Sequence, residues 1–292
     1  MDQSGRRIKI VTDSMADLPR SWVEQLRVRV VPLHVLFKDQ SYRDGVDVTH
    51  EEYIRMLRQG FDEGVLPRTS HPSPADFLAA YEEVASQGET EAILSIHASS
   101  EISATYQSAV MAARQFEKVP VRVIDTRRVS MGEGLMVREA VRAVDSGEPL
   151  EAVVRRLEAL EKRMRIHFTV ATLDYLWKNG RIGRATAFVG GILQLKPVMS
   201  FEDGVVSPVE RVRGRARSLE RIAEIVAEQT GGQGEWLGIV HADAADEAEA
   251  LKEQILQRAR FDEVMVTTLG ATISSHAGPG ALGAVYVLRQ GA

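Results

Sequence analysis

Short apolar strands alternate with helix-patterned stretches through the first 165 residues, and few folds accept that rhythm. Arg7 to Val11 is predicted as the first strand, and it runs out into the polar cluster Thr12-Asp13-Ser14. Pro19 opens a helix through PRSWVEQL, since proline suits a first helical turn. Residues 28–37, VRVVPLHVLF, are β-branched and strand-like. Pro32 inside them points to an edge or a bulge rather than a central strand. Thr49 is an N-cap with Glu52 three residues on, the pattern of a capping box. RTSHPSP (68–74) reads as a loop, and Pro74 starts a helix with apolar residues at helical spacing. EAILSIHASS (91–100) reads as a buried strand that enters a hydroxyl-rich loop, and a helix follows from Ser103. VPVRVIDT (119–126) is the next strand, followed by helices near 130–146 and 149–162.

Strands separated by helices pair in parallel, with helices on both faces of the sheet. The expectation is therefore an α/β protein with an N-terminal Rossmann-like domain over residues 1–165. Ligands of such sheets sit beyond the carboxyl ends of the strands. Hydroxyls gather there: Thr12 and Ser14, then Ser99, Ser100 and Ser103, then Thr126 and Ser130. After residue 165 the pattern changes to short strands, a turn at Glu202-Asp203-Gly204, the amphipathic helix ARSLERIAEIVAEQ, then strand, helix, strand and a last strand in AVYVL. A C-terminal α+β domain is expected over 166–292.

Charge and composition exclude several classes of function. The net charge of −5 provides no excess to neutralise nucleic-acid phosphates, and aromatics at 6% are too few for a base-stacking surface. No stretch approaches 18 uninterrupted apolar residues, so no transmembrane segment is expected. The absence of cysteine removes thiolate metal sites and cysteine nucleophiles, and it suits a reducing, cytoplasmic setting. There is no phosphate loop, no G-x-S-x-G elbow and no H-E-x-x-H. GPGALG (278–283) matches G-x-G-x-x-G in letters but precedes a β-rich stretch, where a dinucleotide loop would open a helix. His241-Ala242-Asp243 is half a metal site at most, and a solvated loop is the plainer reading. No metal site is assigned.

Two hydroxyl loops remain. Thr69-Ser70 precedes the stiffening Pro72 and Pro74, and Ser99, Ser100 and Ser103 precede the next helix. Capping alone explains hydroxyls before a helix. Equally, a helix start with free N–H groups and hydroxyls binds an anion. His276, beside glycines in SSHAGPG, gains meaning only if those loops converge on it.

In order and spacing, nearly the whole chain resembles the DegV family of fatty-acid-binding proteins, the B-subunit type of bacterial fatty acid kinase. The pieces that carry the resemblance are VTDSMADLP (11–19), VPLHV (31–35), RTSHPSPADF (68–77), SSEISATYQSA (99–109), VIDTRRVSMGEG (123–134), LDYLWKNGRIG (173–183), LKPVMSFEDG (195–204), VRGRARSLE (212–220) and SSHAGPGALG (274–283). The resemblance implies two domains with an acyl chain in a buried tunnel between them. It implies that Thr69, Ser70 and Ser103 hold the fatty-acid carboxylate, with His276 nearby. The ligand would be a long-chain acid such as palmitate, stearate or oleate, with no further cofactor. The chain itself would be non-catalytic, presenting the acid to an ATP-dependent fatty acid kinase that forms the acyl phosphate. Ala104 stands where the family has glycine, and Asn179-Gly180-Arg181 where it has G-G-R. Arg181, Arg184 and the cluster Arg211, Arg213, Arg215, Arg217 are candidates for contact with the kinase or head group, with Arg181 and Arg213 foremost; a solvated basic face explains them as readily. Phe168, Leu173, Phe188, Ile192 and Leu193 are candidate tunnel residues, and core packing explains them equally well. The rival readings are a lipid-sensing regulator and a serine acyl hydrolase with Ser103 as nucleophile and His276 as base.

Overall fold

The computed structural model describes residues 3, 5–189 and 195–291. The elements run β1 (Ile8–Asp13), α1 (Arg20–Leu26), β2 (Arg29–Val31), β3 (His34–Phe37), β4 (Gln40–Arg43), α2 (His50–Asp62), β5 (Arg68–Ser70), α3 (Pro74–Ala85), β6 (Ala92–His97), α4 (Thr105–Gln115), β7 (Val121–Asp125), α5 (Met131–Asp145) and α6 (Leu150–Arg163). Then follow β8 (Met164–Thr169), α7 (Asp174–Lys178), β9 (Leu195–Glu202), β10 (Val205–Arg213), α8 (Arg215–Thr230), β11 (Gln233–His241), α9 (Ala245–Leu256), β12 (Arg260–Thr268), α10 (Ala271–Ala277) and β13 (Leu282–Leu288).

They form two compact units. The first holds residues 1–36, 40–47 and 69–162; the second holds 37–39, 48–68 and 163–292. The junction at 162/163 lies close to the expected boundary at 165/166. The segment 48–68, however, groups with the second unit rather than with its sequence neighbours. The reason is visible on α2: Tyr53, fully buried, hydrogen-bonds Ser275 on α10, and Phe61 stacks on Tyr175 of α7 with ring centroids 5.3 Å apart.

The first unit is built on the four-stranded sheet β2-β1-β6-β7, whose neighbours all pair in parallel. Alternate residues of β1 face opposite sides. Val11 packs with Phe77, Tyr81 and Ala109 of α3 and α4, whereas Thr12 reaches Glu133 on α5. Helices therefore cover both faces, as expected. Pro32 acts as a break: β2 ends at Val31 as the sheet's edge strand, and β3 begins at His34 in the small sheet β4-β3-β5. Proline has no N–H to continue a ladder, so the strand read from 28–37 becomes two.

The second unit is a mixed six-stranded sheet, β10-β9-β8-β13-β11-β12, with a core that includes Ile222 and Val226 of α8, Leu251 and Ile255 of α9, and Tyr286 of β13. The predicted hairpin turn joins β9 to β10, which pair antiparallel. Among the described residues, no helix is long and apolar enough to cross a membrane.

Candidate functional site

Thr69 and Ser70 end β5 and are half-buried. They do not cap α3. That helix is capped three residues later by Ser73 and Asp76, whose side chain and backbone bond reciprocally. The capping explanation for Thr69-Ser70 is thereby removed. Among the described residues, the Ser70 hydroxyl has only a long 3.4 Å contact to its neighbour's carbonyl, that of His71.

Most of the other strand-end hydroxyls serve the fold. Thr12 donates to Glu133 at 3.1 Å, and Ser14 accepts from the N–H of Leu33 at 3.0 Å. Ser100 donates to Asp125 at 2.5 Å, and Thr126 donates to the His97 carbonyl at 2.8 Å. Ser103 differs. Its half-buried hydroxyl meets the Thr105 hydroxyl at 2.8 Å and accepts the Thr105 N–H at 3.3 Å, at the start of α4. Ser103 is thus a local helix-start group with hydrogen-bonding capacity left over. Ala104, with φ −79° and ψ 9°, occupies a conformation open to any L-residue, so alanine stands there without backbone strain.

The second unit brings together two of the recognised motif stretches. Asn179 donates from its side chain to the Ser275 carbonyl at 3.0 Å, tying the Asn179-Gly180-Arg181 turn to α10. His276 lies in the last turn of α10, not in a loop, and Arg181 is close enough to act on it. Burial first, and the Arg181 charge second, lower the His276 pKa to about 4, so the ring is neutral at pH 7. Gly278 ends α10 with φ 77°, and a Cβ there would stand 2.4 Å from the Tyr175 ring. Arg215 donates to the Gly280 carbonyl at 2.7 Å while pairing with Glu247 at 2.9 Å.

The remaining arginines divide plainly. Arg184 pairs with Asp203, Arg217 with Glu220 and Glu224, and Arg211 lies over the Phe188 ring. Arg213 is exposed at the end of β10. Of the candidate tunnel residues, Phe168, Leu173 and Phe188 are half-buried, while Ile192 and Leu193 lie outside the described residues. Gly278 and Gly280 lead directly into β13, so the GPGALG glycines open a strand, in keeping with the rejection of a dinucleotide loop.

Sequence reasoning missed a buried polar chain in the first unit. Asp13, Ser95 and His97 are fully buried; His97 Nδ1 meets Asp13 at 2.8 Å, His97 Nε2 meets Ser95 at 2.6 Å, and Ser95 meets Tyr81 at 2.9 Å. The signal was Ser95-Ile96-His97: polar residues two apart share one face of a strand, here inside an otherwise apolar run.

A unit on a parallel sheet, together with a unit on a mixed six-stranded sheet, defines a two-unit α/β class. The chain belongs to the DegV family, described as uncharacterised, whose family model matches residues 7–289. A DegV domain-containing protein of Deinococcus radiodurans is 37% identical, covering 94% of this chain and 96% of its own. The structure described as fatty acid binding of a DegV family protein from Thermus thermophilus superposes with a TM-score of 0.90 at 38% identity, covering 97% of this chain and all (100%) of its own. A Thermotoga maritima protein whose structure is described as revealing a fatty acid binding function matches with a TM-score of 0.84 at 30% identity, covering 97% of this chain and 100% of its own.

Proposed function

We propose that this chain binds a long-chain fatty acid such as palmitate, stearate or oleate in an enclosed apolar tunnel and presents its carboxyl group to an ATP-dependent fatty acid kinase. The observation that carries this reading is the end-to-end likeness to the Thermus thermophilus protein described as binding fatty acid. The hydroxyl geometry supports it. Ser70 and Ser103 are half-buried with only short-range contacts, whereas Thr12, Ser14, Ser100 and Thr126 hold the scaffold. Thr69, Ser70 and Ser103 are the proposed carboxylate ligands, and neutral His276 is a fourth. Arg181 and Arg213 are proposed contacts to the partner or head group.

Burial of about 16 carbons at roughly 0.8 kcal/mol per methylene offers on the order of 10 kcal/mol before the costs of association. The carboxylate must keep its hydrogen bonds, or desolvation cancels part of that gain. Hydroxyls and a helix-start N–H meet this need and leave an oxygen able to attack a γ-phosphate. The chain is then a non-catalytic carrier working in the cytoplasm. Ser103 bonds to Thr105 rather than to an imidazole, which disfavours the serine hydrolase reading.

Organic extraction of the purified chain followed by mass spectrometry tests the ligand. A chain that carries no fatty acid and takes up neither palmitate nor oleate rejects the proposal. Incubating loaded chain with ATP and the kinase, and trapping acyl phosphate with hydroxylamine, tests presentation. Equal hydroxamate yield without the chain rejects that part.

A further inference from the structure

The first unit holds a second cluster of chemistry, distinct from the hydroxyls assigned to the acid. Asp13 and His97 end β1 and β6, and Glu133 stands in the first turn of α5. All three side chains are fully buried, and each offers one donor atom within 4.8 Å of the others. Glu133 Oε1 accepts from Thr12 at 3.1 Å, while Glu133 Oε2 is buried and has no hydrogen-bond partner among the described residues. The Ser130 hydroxyl, at the start of the same helix, is likewise buried and without a partner among the described residues.

A buried carboxylate oxygen without a donor is costly. The charges that act most strongly on Glu133, those of Asp13 and Asp17, are both negative. Asp13 and Glu133 thus set two carboxyl groups together in a buried space, an arrangement that a bound cation would satisfy.

We propose that Asp13, His97 and Glu133 form a binding site for one divalent transition-metal ion of the Mn(II) or Zn(II) class. One imidazole and two carboxylates suit such ions better than Mg(II) or Ca(II), which favour all-oxygen sets. Bonds of about 2.1 Å bring donors to within about 4.2 Å of each other, so a small inward shift of the carboxyl groups closes the site. The polar chain behind His97 can follow. Without metal, Nδ1–H donates to Asp13, Nε2 accepts from Ser95, and Ser95 accepts from Tyr81. With metal on Nδ1, the ring carries its proton on Nε2 and donates to Ser95 at 2.6 Å; Ser95 donates to Tyr81 at 2.9 Å, and Tyr81 turns to the Ala109 carbonyl at 3.4 Å. Hydrogen-bonded partners of this kind fix the tautomer of metal-binding histidines. The number of protons along that chain is unchanged. The Asp13 side chain also accepts the Ala98 N–H at 3.4 Å, so an ion here would brace the entry to the loop that carries Ser103.

Chelator-treated full-length chain should be titrated with MnCl2, ZnCl2 and MgCl2 by calorimetry. The expected result is one equivalent of Mn(II) or Zn(II) and weaker Mg(II) uptake. Glu133→Gln should weaken binding at least tenfold, and Ser95→Ala by roughly 10- to 100-fold. Should Glu133→Gln fail to fold, Co(II) added to the unaltered chain decides the matter, through visible d–d bands at one equivalent. Absence of stoichiometric uptake, or affinity unchanged in Glu133→Gln, overturns the site.

Discussion

At the scale of single residues, the proposed acid site rests on a few polar atoms. Ser103 has one hydroxyl neighbour and one N–H, both on Thr105, so its remaining capacity is available to a ligand. Ser103→Ala is expected to cost about 1–3 kcal/mol of fatty-acid affinity, roughly a 5- to 150-fold rise in Kd. Unchanged uptake of a fluorescent fatty acid would remove Ser103 from the site. His167 makes a separate prediction about pH. Burial first, then Arg165 and Arg221, lower its pKa from 6.5 to about 4. The unfolded chain therefore takes up a proton near pH 6.5 that folded His167 refuses until near 4. Stability is full above pH 6.5 and declines as pH falls through that window, by about 3 kcal/mol for this group. Urea midpoints at pH 7 and pH 4.5 should converge in His167→Gln relative to the parent; equal shifts in both would reject the assignment.

At the scale of elements, the boundaries that sequence made legible are those with local chemical causes. The capping box at Thr49 and Glu52 forms as read, because both partners lie within one turn. The four parallel strands were visible because each is a short apolar run between helix-patterned stretches. The strands β4 and β5 were not foreseen. They are four and three residues long, polar, and owe their form to pairing with β3 rather than to any pattern of their own. Helix α10 has no signal in the sequence because the seven residues of ATISSHA carry little helix propensity; tertiary contacts with α2 and α7 hold it. Of the candidate site, Thr69, Ser70, Ser103 and His276 were named from motifs, while the link between Asn179 and Ser275, separated by 96 residues, had no local trace. Gly278 shows what that element demands. A Cβ at φ 77° and 2.4 Å from Tyr175 would meet a ring already stacked on Phe61. Gly278→Ala is expected to cost about 1–3 kcal/mol and lower Tm by several degrees. An unshifted calorimetric melt would mean that the ring moves freely.

At the scale of the whole molecule, the second unit is drawn from three stretches of chain. Cutting at the boundary read from sequence separates α2 from Ser275, Tyr175 and Asp243, its partners by hydrogen bond, ring stacking and ion pair. Residues 166–292 expressed alone are expected to melt broadly and bind a hydrophobic dye, since the surface that receives Tyr53 and Phe61 is uncovered. A sharp two-state melt of that fragment would make α2 dispensable. The same arrangement has a consequence for synthesis. Tyr53 and Ser275 are 222 positions apart. At ribosomal speeds of 5–20 residues per second, α2 emerges roughly 10 to 45 s before the serine it will meet. For that interval a buried tyrosine, and the apolar face around it, must remain in the company of water, chaperones or makeshift contacts within the nascent chain.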